Sequence, residues 1–257
     1  MKKIKLLLCL FMLTTLCGCS NSNKNESSKT LNAAMFWIST SLDPTNNYDG
    51  WVLSRIGVGE TLLKLNEKYE VEPSLAKSYE QIDDTTWKLT LKDHITFSNG
   101  KKVTGENVKA CLERAFEKNT RAIDYFDLNH VEADEQDVYL YLNKSSGAIL
   151  NNLCEPLFTI YDASQSEEDI ANNPLCTGPF VVDDFVSEKT IDTSKNKKYY
   201  DGKAKLDHVH FSQVTDSDAR VLALQSGEVD LANTIDYSSL KLFRNNKDYQ
   251  VLEVLGP

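Results

Sequence analysis

The sequence predicts a mixed α/β fold, and three stretches carry that prediction. Thr86–Leu91 alternates strictly, with Trp87, Leu89 and Leu91 on one face, the pattern of a strand packed on one side. Val108, Cys111, Leu112, Ala115 and Phe116 fall at i, i+3, i+4, i+7 and i+8, the stripe of a helix with one buried face. Leu206–Val214 reads as a strand, a helix follows from Asp216 or Ser217, and Val229–Leu231 reads as a short strand. Strand, helix and strand in that order make a βαβ unit, which calls for a parallel sheet and a right-handed crossover.

The remaining elements follow from local chemistry. Leu31–Ile38 is an apolar run that reads as a strand and ends in the polar turn at Asp43-Pro44. Trp51–Leu63 places Trp51, Ile56, Val58 and Leu62 at roughly helical spacing. Ser98-Asn99-Gly100-Lys101 is a tight turn, because Asn-Gly tolerates positive φ. Thr104 is placed to cap the helix that follows, with Glu106 in its first turn where the helix dipole favours an acid. Val138–Leu142 alternates again. Thr177-Gly178-Pro179 breaks the chain before a strand at Phe180–Val182, Asp201-Gly202 is a further turn, and Gly227 is a typical residue just past a helix end.

The 257 residues allow one large domain or two ordinary ones. Hydrophobic residues at 41% are enough to build a core, which excludes a disordered chain. A formal charge of −10 argues against a nucleic-acid partner, whose footprint should be basic. Met1–Lys5 carries three lysines, Leu6–Leu16 is an apolar run too short to span a bilayer, and Leu16-Cys17-Gly18-Cys19 follows. This reads as a signal peptide over 1–18. Its Leu-x-Gly-Cys ending resembles the bacterial lipobox, which implies lipidation of Cys19; an ordinary cleaved signal with a plain thiol is the alternative. Residues 20–30 contain no apolar side chain, so 19–30 reads as a lipidated cysteine and flexible tether. Of six cysteines, Cys111, Cys154 and Cys176 then remain, so at most one disulfide forms. Cys111 reads as a small buried hydrophobe, and Cys154 and Cys176 can pair without anything demanding it.

A family resemblance emerges from the ordered set of segments. Glu72-Pro-Ser-Leu-Ala-Lys-Ser-Tyr-Glu80, Trp87–Lys92, Ile95–Gly100 and Val103–Val108 are followed by Thr177–Phe180, Asn196–Gly202 and Arg220–Asp230. In this order and spacing, over 31–257, they resemble the extracellular solute-binding proteins of family 5, the oligopeptide, dipeptide and nickel receptors of ABC importers. The resemblance implies a periplasmic-binding-protein-like (type II) α/β first lobe from 31–60 plus 178–246, with an inserted α+β subdomain over 61–177. It implies that 247–257 starts the connection to a second lobe that is largely absent. The implied function is a lipid-anchored binding component, on the outer face of the cell membrane or in the periplasm, that delivers small peptides or a nickel chelate to a permease. A surface receptor or sensor without a transport role, and a truncated non-functional fragment, are the alternatives.

No catalytic motif, nucleophile elbow or phosphate loop occurs, so no catalytic residue and no cofactor are expected. No metal set is expected either. His208 and His210 share a strand face and could both reach one metal, or could simply occupy the less buried face beside Val209 and Phe211. Lobe placement and chemistry nominate the ligand-binding residues. Tyr48 and Trp51 can stack on a ligand, Asp49 can pair an amine, and Arg55 and Arg121 can grip a carboxylate. Tyr125 lies one helical turn beyond Arg121. Core packing for Trp51 and surface charge for either arginine are the structural alternatives.

Overall fold

Every strand of the main sheet is referred to the first one. In the computed structural model, which describes residues 28–253, the strands are β1 (Thr30–Met35), β2 (Leu63–Leu65), β3 (Val71–Pro73), β4 (Ala76–Gln81), β5 (Thr86–Leu91), β6 (Leu128–Asp134), β7 (Asp137–Leu142), β8 (Phe180–Val186), β9 (Thr190–Lys195), β10 (His208–Gln213) and β11 (Leu231–Ala232). The helices are α1 (Gly50–Arg55), α2 (Gly105–Lys118), α3 (Ala122–Tyr125), α4 (Ile149–Asn152), α5 (Glu167–Asn172) and α6 (Ser217–Ser226). The signal peptide over 1–18 and the lipidated Cys19 expected from the sequence lie outside the described residues.

β1 sits inside a five-stranded sheet of order β11-β1-β10-β9-β8 and runs parallel to both β10 and β11. The β10–α6–β11 unit is thus a crossover, and it passes over β1 rather than joining adjacent strands. α6 starts where Asp216 accepts the Ala219 N–H and stops at Gly227, whose φ of +75° suits a residue without Cβ. Glu228 and Val229 still bond back to the Ala223 carbonyl, so strand pairing begins at Leu231, two residues later than expected. Ala33 and Met35 on one face of β1 enter the main core, while Ala34 on the other meets Ala223 and Val229. β9 and β8 complete the sheet as an antiparallel hairpin.

A second sheet, of order β4-β5-β7-β6, is wholly antiparallel. α2 packs on its β6 and β7 strands through the stripe the spacing predicted, burying Val108, Cys111, Leu112 and Ala115. Thr104 caps α2 by accepting the Asn107 N–H, and the Asn107 side chain accepts the Thr104 N–H in return. β2 and β3 form a separate two-stranded ribbon. One apolar core runs without a break from Ala33 and Phe211 to Leu89 and Leu140. The segments leaving and re-entering the first sheet are tied side by side, Gly178 N–H donating to the Val58 carbonyl at 3.0 Å. Between them the Glu60 carboxylate accepts from Thr177, Tyr199 and Tyr200, and its burial pushes its pKa upward.

One expectation is corrected and one open question is decided. The helical spacing over Trp51–Leu63 yields only α1, because Gly57 turns at φ +70° and the chain then runs extended, bridging Glu60 to Ile160. Cys154 and Cys176 do not pair. All three described cysteines are free thiols, and burial pushes Cys111 up to about 12.

The loop after β1 is held to α2 by a two-pronged ion pair. Arg114 Nη1 and Nη2 donate to the two Asp43 carboxylate oxygens at 2.8 and 2.6 Å, and Nη1 also reaches the Tyr161 hydroxyl at 2.9 Å. Burial alone would raise the Asp43 pKa, but the bonds from Arg114 and Thr45 outweigh it and hold the carboxyl below its usual range. Both side chains are only 13–14% exposed, so removing one strands the other. Arg114→Met is expected to lower unfolding free energy by about 3 kcal/mol. Lys118→Met, which breaks the exposed pair with Glu167, is expected to leave stability nearly unchanged. Denaturant unfolding of the two variants checks the difference.

Candidate ligand-binding site

The site is built where the loop following Asp43 meets α3 and the turn at 156–158. Asn119, at the end of α2, donates its side-chain amide to the carbonyls of Thr45 and Asn47, both at 3.1 Å. Arg121 adds a bond to the Asn47 carbonyl at 2.9 Å. Asn47 takes a left-handed φ of 47°, which turns the chain into Tyr48 and on into α1. α1 approaches the 156–158 turn so closely that a Cβ on Gly50 would lie 2.3 Å from the Pro156 carbonyl oxygen. That contact sets Trp51 beside Glu155, and the indole Nε1 donates to Glu155 Oε1 at 2.9 Å.

Four of the nominated residues meet here. The Arg121 guanidinium lies 3.7 Å from the Tyr48 ring centroid, donates to the Tyr125 hydroxyl at 2.7 Å and stands 3.9 Å from Glu155. Burial pushes the Tyr125 phenol up to about 12, and the negative charge of Glu155 adds to the shift. Trp51 completes the group through Glu155. Arg55 lies at its edge. Its guanidinium sits 5.4 Å from the Trp51 ring and 5.6 Å from Phe36, is exposed, and has no carboxylate partner among the described residues. Partial burial against these rings lowers its pKa. Such a cation over aromatic faces keeps its N–H donors available to an anion.

Asp49 is placed otherwise than expected. It is 2% exposed and accepts from the Asn46 side chain at 2.7 Å, so it faces inward and does not present its carboxylate to a ligand amine. The acid that faces the cluster is Glu155, which the sequence reading missed along with Phe36 and Asn47. His208 and His210 do share the outer face of β10, with Val209 and Phe211 turned into the core. His210 Nδ1 is engaged by Asp192 at 2.7 Å. Among the described residues, no three or more His, Cys, Asp or Glu side chains gather to hold a metal ion. Beside the cluster, a recess of about 150 Å³ is lined by Ser54, Glu60, Lys64, Cys154 and Thr159. This is below the several hundred Å³ of an enclosing ligand pocket.

The five-stranded sheet with its parallel β10–α6–β11 crossover has the periplasmic-binding-protein-like fold. Residues 70–257 match the family described as "Bacterial extracellular solute-binding proteins, family 5 Middle", and the chain belongs to that family. It is 32% identical over 241 residues to the nickel-binding protein NikA of Staphylococcus aureus, covering 94% of this chain and 48% of the relative. It is 27% identical over 200 residues to the glutathione-binding protein GsiB of Salmonella typhi, covering 74% and 39%. The fold superposes on S. aureus NikA solved in complex with Ni(L-His)2 at a TM-score of 0.80 and 31% identity, covering 86% of this chain and 46% of that one. A nickel ABC transporter protein from Bacillus halodurans gives 0.80 and 30%, with the same coverage. The chain thus spans about half the length of the relatives it matches. No helix among the described residues is long and apolar enough to cross a membrane.

The inward Asp49 makes stability depend on pH. Burial raises its carboxyl to about 6, with the nearby Asp43 charge adding to the rise. The folded chain therefore keeps a proton that the unfolded chain releases near pH 4, its ordinary range being about 3.9. Stability from this group is greatest below about pH 4 and declines as pH climbs to about 6. Asp49→Asn removes the burial of charge, so it is expected to raise the melting temperature above pH 6 and to make little difference at pH 4. Thermal unfolding of both proteins across this window checks the sign.

Proposed function

We propose that this chain is the solute-binding component of an ABC importer, anchored outside the cell by a lipid on Cys19, and that it captures a nickel chelate for delivery to a permease. The observation that carries this reading is Arg55, an exposed guanidinium held over Trp51 and Phe36 without an acid of its own. A partly desolvated cation without an acid of its own is costly to a folded chain and useful to a ligand carboxylate. Tyr48, Trp51, Arg121 and Tyr125 form the wall beside it. Residues 31–60 with 178–246 would act as one lobe and 61–177 as its inserted subdomain, the ligand being closed in by a facing lobe. The nickel-binding names of the relatives at 30–32% identity support the cargo. With no metal-holding cluster among the described residues, the metal would travel with its own chelator. A small peptide is the second reading, favoured by the likeness to the glutathione-binding GsiB.

Titration calorimetry separates the two. Nickel(II) with two equivalents of L-histidine is expected to bind more tightly than nickel(II) alone or glutathione. Arg55→Ala is expected to weaken that binding at least tenfold, the loss of about 1.4 kcal/mol that one charge-assisted hydrogen bond supplies. Unchanged affinity in both Arg55→Ala and Trp51→Ala would remove this wall from the binding site. For the anchor, Cys19→Ser is expected to move the protein from the membrane fraction to the medium or periplasm and to abolish labelling by radioactive palmitate.

A further inference from the structure

We propose that Glu155 sets the charge preference of this wall, so that it takes zwitterionic, amino-acid-type ligand groups over polyanionic ones. The proposal rests on the reading of the wall as a solute-binding surface and names the ligand chemistry it selects. Three observations carry it.

Glu155 is fixed. Its side chain is 14% exposed, and Trp51 Nε1 donates to it at 2.9 Å across 104 residues of sequence. Pro156, next in the chain, is itself buried and opens the turn against which Gly50 packs, so the Glu155 backbone has little freedom.

Arg121 is largely spent. Its N–H groups go to the Asn47 carbonyl and the Tyr125 hydroxyl, its face is covered by Tyr48, and Glu155 opposes its charge from 3.9 Å. Of the two arginines nominated to grip a carboxylate, only Arg55 keeps an uncompensated charge.

Opposite charges meet on one indole. Arg55 stands over the Trp51 ring while Glu155 sits on its Nε1 edge, and the rigid ring keeps the two from collapsing into a pair. A ligand carrying a carboxylate and an ammonium or coordinated amine can satisfy both ends. A ligand with several carboxylates satisfies Arg55 and is then repelled by Glu155, in a place where partial desolvation strengthens both effects.

The test compares two nickel probes by calorimetry at one ionic strength, nickel(II) with two equivalents of L-histidine and nickel(II)–EDTA, a dianion. Wild type is expected to favour the histidine complex. Glu155→Gln and Glu155→Met, two independent neutral replacements, are each expected to shift the ratio of dissociation constants toward the EDTA complex by about tenfold, a difference of about 1.4 kcal/mol. Glu155→Asp is expected to restore the wild-type preference, and Arg55→Gln to weaken both probes together. Melting curves identify which replacement is folded, and either one suffices. A folded neutral variant with an unchanged ratio overturns the role of Glu155 and leaves the solute-binding reading standing. If wild type binds neither probe, or if Arg55→Gln changes neither, the solute-binding wall fails and the charge preference with it.

Discussion

The ion pair between Asp43 and Arg114 is the constraint on which the aromatic–cationic cluster depends. It joins the first loop of the chain to a helix 71 residues later. Once the Asp43 carboxylate is gripped at both oxygens, the chain from Thr45 to Asn47 lies within reach of Asn119 and Arg121. These two complete its attachment through backbone carbonyls rather than side chains. These carbonyl bonds use no side chain of the loop, so Tyr48, Trp51 and Arg55 meet Arg121, Glu155 and Phe36 instead. Neither charge of the pair is cheap to bury, and the geometry offsets that cost through bidentate bonding and the added Thr45 and Tyr161 hydroxyls. What such a pair supplies above net stability is register, since a guanidinium fork accepts one placement of a carboxylate.

Three arginines within this region show a gradient of neutralisation from interior to rim. Arg114 is fully matched and structural. Arg121 is engaged by a carbonyl, a hydroxyl, a ring and a distant carboxylate, and serves to brace the loop against α3. Arg55 has only aromatic faces. The compensation each guanidinium receives falls along this series while the availability of its donors rises. Free donors are concentrated where structural compensation is smallest, and the aromatic rings let a cation stay there without drawing in an acid of the protein's own.

What was legible in the sequence was what is decided locally. The α2 stripe, its Thr104 cap and the alternation of β5 each follow from residues within a turn or two of one another, and all stand as read. α6 announced itself by Asp216 at one end and Gly227 at the other. β4 was illegible because all but Ala76 of its residues are exposed, leaving no alternation to detect. Tyr48, Trp51, Arg121 and Tyr125 were nominated because aromatic and guanidinium groups are few enough to weigh one by one, and the structure brings them together. Glu155 was not, being one of 38 acids with its defining partner more than a hundred positions away. Asp49 was read as outward because nothing in Tyr48-Asp49-Gly50-Trp51 tells which way a loop carboxylate turns; the amide of Asn46 decided it.

The position of β1 has a consequence for how the molecule comes to exist. Its ladder partners begin at His208 and end at Ala232, so the strand nearest the N-terminus has no neighbour until almost all the described chain has been made. Antiparallel β5 and β7 and the helix on them can organise early from sequence-near pieces, but the five-stranded sheet closes last, with a large loop-closure entropy to overcome. Slow closure leaves unpaired strand edges exposed to aggregation. Both faces of β1, Ala33 and Met35 on one side and Ala34 on the other, therefore wait for their cover until residues 208–232 are laid beside them.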